Sequence, residues 1–367
     1  MDTNSTEILA ITDALADLDQ RIKTLKLSIW LGGEPTFTDR FAQTAEWIGE
    51  AIGGNKELKA RALAAGLLAA FPGGLILRTI GRQYPGEPTP RWNLGILAHR
   101  NGDLLWNGPP DPVLVQDSSD RQPDLDLLRA TIANNLQEQG WITQYTNSST
   151  VPGTRLLARS DGEPIISEKL QSTPVNSPSI HSIPIPDTGL CDALAEHGYY
   201  LLKFHLQQQD TNYWPTIELP SINDPYQYQI LLGAIADAAR SLKLTALILQ
   251  GYPPPTSRHW HWSTVTPDPA VIEISLTPTA SLVELFNICT QLFAAADTCG
   301  LAPYRLHYNG RETDSGGGGQ LTIGGPTPEA SPFFAEPRLL PRLIRALIAN
   351  CCNNSTSTCS KTILPIS

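Results

Sequence analysis

Hydrophobic residues recur along the chain with helical spacing in several places. Near the N-terminus the stripe is Ile8, Ile11, Leu15, Leu18 and Ile22, and Asn4 with Glu7 would cap that helix. The same spacing predicts helices over Asn55–Phe71, Pro123–Gln139, Tyr228–Leu242 and Ser281–Gly300, and a last helix that starts near Pro337. The chain is therefore expected to carry helices along its whole length.

Short apolar or alternating segments between the helices predict strands. These segments are Leu27–Leu31, Leu75–Ile80, Ala246–Gln250, Trp260–Val265, Val271–Thr277, Arg305–Tyr308 and Gln320–Ile323. Asn101-Gly102, whose residues tolerate positive φ, predicts a hairpin between Trp92–His99 and Leu104–Trp106. Hairpins combined with helical excursions predict an α+β fold with a mixed, largely antiparallel sheet and flanking helices.

The length and one change of composition predict two lobes. Prolines cluster with Ser, Thr and Asn between Ser160 and Asp187, where neither a helix nor a central strand is expected. The predicted division is an N-terminal lobe over residues 1–150, a linker or surface excursion over 151–187, and a C-terminal lobe over 188–350. Residues 351–367 are polar and are predicted to be a disordered tail.

Charge and hydropathy exclude two classes of partner. The chain has 36 acidic and 26 basic residues, a net charge of −10, without a run of Lys and Arg, so no nucleic-acid partner is expected. No apolar stretch approaches the ~20 residues that cross a bilayer, so no membrane partner is expected either. The N-terminus lacks the pattern of a secretory signal, and a cytoplasmic location is expected.

Three glutamates lie where a carboxylate could bind a ligand. Glu34 follows two glycines at the end of a predicted strand, and Glu87 lies in a similar Pro-Gly-Glu-Pro setting with Arg91 nearby. Glu273 interrupts an apolar strand in alternation with Ile272 and Ile274, so it faces either water or a polar site. Each glutamate taken singly is more often a surface acid than a ligand.

A glycine-rich segment, Asp314–Gly319, precedes a predicted strand. Consecutive glycines can turn several backbone N–H groups toward one anion, most often phosphate, although such a run is more commonly a flexible loop. Carboxylates for Mg²⁺, an arginine and an anion-binding loop together would suit a nucleotide phosphate site.

Several blocks of the sequence, in order, resemble a bacterial family of amidoligases. They are Gly32–Phe37 (GGEPTF), Tyr84–Trp92 (YPGEPTPRW), Gly251–Pro255, Val265–Ile274, Asn309–Gly325 and Ser331–Leu340. The family is thought to share a glutamine-synthetase-like fold and to activate a carboxylate with ATP and Mg²⁺ before an amine attacks. Its members are often associated with transglutaminase-like proteins.

The resemblance implies specific roles for residues of this chain. Glu34, Glu87 and Glu273 would bind the metal, and Gly316, Gly317, Gly318 and Gly319 would bind the nucleotide together with Arg91. Glu273, Arg91 and Arg311 would be catalytic, with the two arginines stabilising the phosphates or the developing negative charge. The substrate would be a peptide or amino-acid carboxylate.

The chain also departs from the family pattern. Gln250 stands where the family has Glu, Ser275 where it has Asn, Glu312 where it has His, and Tyr304 where it has Glu. The glycine-rich loop ends in Gly319-Gln320, where the family has Asn-His. Replacing a carboxylate by an amide removes the charge of a metal ligand. Two functions are therefore expected: a ligase of weakened activity, or a truncated non-catalytic homologue that binds a transglutaminase-like protein.

Overall fold

The computed structural model describes residues 3–115, 123–147, 154–160, 194–195, 197–209, 212–306, 309–316 and 319–353. The α-helices in these ranges are Thr3–Thr24, Ala45–Ile48, Gly54–Leu68, Leu125–Glu138, Pro225–Ser241, Leu282–Thr298, Pro332–Ala335 and Leu339–Asn353. A 3₁₀ turn covers Pro112–Leu114. None of the described helices is both long enough and apolar enough to cross a bilayer.

Fourteen strands lie in the described part of the chain. They are β1 (Trp30–Glu34), β2 (Thr36–Phe37), β3 (Leu75–Ile80), β4 (Trp92–His99), β5 (Ile142–Asn147), β6 (Thr154–Arg159), β7 (Tyr199–Gln209), β8 (Asn212–Leu219), β9 (Ile248–Gly251), β10 (Trp260–Asp268), β11 (Val271–Ser275), β12 (Tyr304–Leu306), β13 (Glu312–Asp314) and β14 (Gln320–Gly324).

The chain forms two compact units. Unit 1 consists of residues 1–70 and 263–367, and unit 2 consists of residues 71–262. The lobes expected from the sequence are successive ranges, whereas unit 1 combines both ends of the chain. Strand β10 begins in unit 2 and ends in unit 1.

Unit 2 contains a mixed, largely antiparallel sheet in the order β4-β3-β9-β8-β7-β6-β5. Only β9 is parallel to its neighbours, β3 and β8, and the other pairs are antiparallel. One face of this sheet packs against the helices Leu125–Glu138 and Pro225–Ser241, and its core includes Leu77, Leu156, Leu202, Ile217 and Leu249. The α+β class expected from the sequence is confirmed.

Unit 1 contains the antiparallel strands β2-β11-β10 and two strand pairs, β1-β14 and β12-β13. Ser281 caps the helix Leu282–Thr298, since its hydroxyl accepts the Glu284 N–H at 3.3 Å. Asp19 fixes the same turn from the first helix, because its carboxylate accepts the Ser281 hydroxyl at 2.7 Å and the Leu282 N–H at 3.0 Å.

Three local predictions are corrected. The first helix already includes Thr3, so Asn4 lies inside it and is not its cap. Leu104–Trp106 is not a strand: β4 pairs with β3, and the amides of Leu105 and Trp106 donate to the Gly73 carbonyl. The Asn101-Gly102 turn follows β4 without returning the chain along it.

Parts of the predicted linker and tail lie in regular secondary structure. Within the predicted linker 151–187, Thr154–Arg159 form β6, which pairs with β5 and β7. The Ser, Thr and Pro bias begins only after Ser160, so it does not oppose this strand. Residues 161–187 lie outside the described residues. The last helix continues to Asn353, and residues 354–367 also lie outside the described range.

Candidate functional site

A polar face in unit 1 carries two of the predicted glutamates. Glu273 lies opposite Thr36 in the antiparallel pairing of β11 with β2. Two further backbone hydrogen bonds continue this register, so Glu34 lies opposite Ser275. Residues two apart on a strand share a face, and Glu34, Thr36, Glu273 and Ser275 therefore point to the same side. The two carboxylates are diagonal neighbours across the strand pair, with their Cα atoms about 7–8 Å apart.

The alternation read from the sequence positions these carboxylates. Ile272 and Ile274 are fully buried on the opposite face of β11, and Glu273 between them is half-buried. On the other side of Glu34, β14 pairs with β1 and sets Gln320 opposite Glu34. Of the two settings expected for Glu273, the structure shows a polar surface shared with other polar residues.

The start of the glycine-rich segment lies against this polar face. The hydroxyls of Ser315 and Thr36 are hydrogen-bonded at 2.5 Å, and Ser315 is buried. The Asp314 carboxylate accepts the Gly316 N–H at 2.8 Å, and Gly316 has φ +95, a conformation that favours glycine. Gly319 is buried at the other end of the segment. Gly317 and Gly318 lie outside the described residues.

Glu87 and Arg91 lie in unit 2 and bind each other. Arg91 Nε and Nη2 both donate to Glu87 Oε1, at 2.9 and 2.7 Å, and Glu87 Oε2 accepts the Tyr84 N–H at 3.0 Å. These hydrogen bonds lower the pKa of Glu87 below its ordinary value, with the Arg91 contact the largest cause. The Arg91 guanidinium also stacks on the Tyr84 ring, 4.3 Å from its centroid. Both carboxylate oxygens of Glu87 are thus used in hydrogen bonds within its own loop.

The predicted site residues therefore fall into separate places. Glu34, Glu273 and Gly316 come together in unit 1, and Glu87 with Arg91 forms a pair in unit 2. Arg311 is exposed in unit 1, just before β13, and its N–H donates to the Asn309 side chain at 3.0 Å. Across the described residues, no three His, Cys, Asp or Glu side chains converge as a metal site.

A second polar surface, in unit 2, was not predicted from the sequence. Strand pairing aligns Arg78 with Gln250, Gln250 with Glu218, and Glu218 with Lys203 across β3, β9, β8 and β7. Directly opposed residues share a face, so these four side chains form one row, here called the polar row of unit 2. The row lies on the sheet face opposite to the helix-packed core.

The side chains of the polar row bind one another. Lys203 Nζ lies 3.2 Å from Glu218 Oε2, and Gln250 Nε2 donates to Glu218 Oε1 at 3.4 Å. Gln250 Nε2 is also 3.4 Å from Nε2 of His205, which is two residues beyond Lys203 and so on the same face. Gln250 is fully buried, and its Oε1 has no hydrogen-bond partner among the described residues. Such a buried acceptor is uncommon, because leaving one unpaired costs free energy.

His205 is a neutral imidazole in this environment. Burial lowers its pKa below the ordinary value, and the nearby Lys203 charge acts in the same direction, while Glu218 opposes them. A neutral imidazole accepts hydrogen bonds through one ring nitrogen, so it can pair with the amide of Gln250.

Arg78, at the other end of the polar row, forms a buried ion pair. Its Nε and Nη2 donate to the two Asp111 oxygens at 3.0 and 2.7 Å, and both side chains are 2% exposed. With its side-chain amide turned so that the oxygen faces Arg78, Gln209 also accepts from the guanidinium. The fork-to-fork geometry fixes Arg78 and satisfies its charge within the protein.

One sequence signal could have revealed this row. Glu218 lies between the apolar residues Ile217 and Leu219, which is the signal that identified Glu273, and Arg78 follows the apolar run Leu75–Leu77. Only Gln250 was noted, and only as a departure from a family pattern.

Comparison with known proteins gives one match. The model of the family described as "Putative amidoligase enzyme (DUF2126)" matches residues 3–147 and 206–350, which together make up most of the chain. Neither curated proteins nor solved structures provide a match, so a glutamine-synthetase-like fold stays a prediction. The matched ranges contain both polar surfaces except for Lys203 and His205. The chain belongs to the DUF2126 amidoligase family.

Proposed function

We propose that this protein is an ATP-dependent amidoligase that joins a peptide or amino-acid carboxylate to an amine. The carboxylate oxygen would attack the γ-phosphorus of ATP, which releases ADP and leaves an acyl phosphate. The amine nitrogen would then attack the carbonyl carbon, inorganic phosphate would leave, and the amine would lose a proton to a base. The family membership supports this reaction class.

The observation that carries the proposal is the polar face of unit 1. Three segments that are far apart in sequence contribute to it: Glu34 with Thr36, Glu273, and the Ser315–Gly316 turn. Carboxylates beside a glycine turn are the combination that a Mg²⁺-nucleotide requires, because the cation needs oxygen ligands and the phosphates need donors.

The described residues fit Mg²⁺ only if the nucleotide shares in its coordination. Glu34 and Glu273 offer two carboxylates, and Mg²⁺ is commonly held by one or two carboxylates together with substrate phosphates and water. Bound there, the cation would neutralise phosphate charge during transfer. In the proposal Glu34 and Glu273 orient it.

The two predicted arginines, Arg91 and Arg311, would act differently in this proposal. Arg91 is committed to Glu87 and Tyr84, so it would act by holding its loop rather than by meeting phosphate directly. Arg311 is exposed and could approach a bound nucleotide by moving its side chain. Arg311 is therefore the candidate for stabilising negative charge directly in the reaction.

The test is a calorimetric titration with a non-hydrolysable ATP analogue in the presence and absence of Mg²⁺. We expect Mg²⁺-dependent binding that Glu273→Gln weakens about tenfold or more, because a charged ligand contact contributes about 1.5–3 kcal/mol. Glu7→Gln, at an exposed position of the first helix, is the matched control and should bind as the unmodified protein does. Equal affinity in Glu273→Gln and the unmodified protein would remove the basis of the proposal.

A second candidate function is that of a non-catalytic binding protein, with a transglutaminase-like protein as partner. The observation that favours it is Gln250: an amide stands at the centre of the polar row of unit 2, fully buried, where a carboxylate would carry charge. Under this alternative the purified protein neither hydrolyses ATP nor forms amides with any amine and carboxylate pair. Robust turnover in either assay excludes it.

A further inference from the structure

Arg305 in β12 is held in place by backbone oxygens of unit 1. Its Nε donates to the Ser315 carbonyl at 2.7 Å, and its Nη2 approaches the carbonyls of Trp47 and Ala270 at 2.6 and 2.7 Å. A longer contact, 3.3 Å, joins Nη2 to the Thr38 hydroxyl. The guanidinium thus connects the start of the glycine-rich segment to strand β2 and to the turn before β11.

Arg305 differs from the buried arginines Arg78 and Arg91 in its charge balance. Arg78 is paired with Asp111, and Arg91 is paired with Glu87. Within the described ranges, Arg305 is half-buried and forms no ion pair with a carboxylate, and its Nη1 has no hydrogen-bond partner. Arg305 is only partly removed from water, and carbonyl dipoles balance part of its charge, so an anion at Nη1 would supply the remaining compensation.

Gly316 lies against the anchored edge of the guanidinium, the edge that carries Nε and Nη2. A Cβ built on Gly316 would lie 3.4 Å from Arg305 Nε and 3.5 Å from its Cζ, so any side chain there would begin in contact with the guanidinium. The nearest acid in this turn, Asp314, is occupied with the Gly316 N–H rather than with the arginine.

We propose that Arg305 is the anion-binding arginine of unit 1, and that its Nη1 binds a phosphate oxygen. In this proposal Nε and Nη2 anchor the guanidinium to the protein, and the N–H groups of Nη1 donate to the ligand. The rigid, planar guanidinium makes arginine well suited to phosphate. The identification of that phosphate as part of a nucleotide rests on the proposed function. The anion site itself does not, because it follows from the unpaired charge and the anchoring contacts.

The probe for this site is tripolyphosphate, which carries the anion without the nucleoside. Calorimetry on the full chain should show binding that Arg305→Gln weakens about tenfold or more, as expected for loss of a hydrogen bond between charged groups. Arg305→Lys keeps the charge and should lose less affinity than Arg305→Gln. Arg21→Gln removes an exposed arginine of the same unit and should leave the affinity unchanged.

A measurement on the unmodified protein guards against variants that fail to fold. Tripolyphosphate should protect Arg305 from an arginine-selective dicarbonyl reagent, quantified by peptide mass spectrometry, whereas modification of Arg21 should proceed equally with and without it. Unprotected Arg305, or tripolyphosphate affinity unchanged in Arg305→Gln, would overturn the proposal.

The two proposals can fail separately. Tripolyphosphate binding that depends on Arg305, without binding of the ATP analogue, supports the anion site and contradicts the nucleotide function. Binding of the ATP analogue that depends on Glu273 but is unchanged in Arg305→Gln contradicts the role given to Arg305 and leaves the ligase proposal standing.

Discussion

Replacing Asp111 by asparagine is expected to destabilise the protein by about 3–5 kcal/mol, because it leaves the Arg78 charge buried without a partner. Both side chains are 2% exposed, and no water can replace the lost carboxylate without rearrangement. Asparagine keeps the oxygen that accepts the Val113 N–H at 2.9 Å, so the 3₁₀ turn at Pro112–Leu114 keeps its cap. The substitution therefore tests the charge and little else.

Two further variants separate the buried charge from the pair itself. Asp237→Asn breaks an exposed pair with Arg240, whose side chains are 57% and 53% exposed, and should cost at most about 1 kcal/mol. The double variant Arg78→Met with Asp111→Leu removes both charges. It should be far less destabilised than Asp111→Asn, because apolar replacement of a whole buried pair is often neutral.

Urea unfolding followed by circular dichroism is the assay. With a slope of about 3 kcal/mol per molar urea, the expected loss lowers the unfolding midpoint by about 1 M or more. A midpoint for Asp111→Asn that matches Asp237→Asn would refute the reasoning. It would mean that the remaining contact from Gln209 and local rearrangement satisfy Arg78 without its carboxylate.

Two other predictions concern unit 2. Because burial lowers the folded-state pKa of His205, its contribution to stability is present above the unfolded-state pKa of about 6.5 and is lost as pH falls toward the folded-state pKa. The urea midpoint should therefore fall between pH 7.5 and 5.5 in the unmodified protein and change less in His205→Asn. An equal pH dependence of the two midpoints would contradict this. Gly251→Ala should destabilise strongly, since Gly251 has φ +125 and a Cβ there would lie 2.4 Å from the Leu219 carbonyl oxygen. Gly233→Ala is the helical control, because the space around that position is open, and it should stabilise the protein by about 0.5–1 kcal/mol. Thermal melts of both variants test this, and equal melting temperatures would contradict it.

Local patterns were sufficient for much of the fold. The helix spacing from Tyr228 to Leu242 predicted the helix Pro225–Ser241, and the alternation around Glu273 predicted which side of β11 is polar. These features depend on neighbours within one or two turns of chain, and burial of one face is enough to select them. The hairpin expected at Asn101-Gly102 failed because β4 found its antiparallel partner in β3, before it in the chain, rather than in the residues that follow.

The sequence alone established the fold class, the polar positions within individual strands and the family to which the motifs belong. Tertiary structure alone decided which of those positions meet. The polar row unites Arg78, Gln250, Glu218 and Lys203 from four strands, and Arg305 is held by carbonyls from three separate segments. Strand register and backbone acceptors are set by packing of the whole unit, because a one-residue shift would exchange the two faces of a strand while leaving its local sequence unchanged.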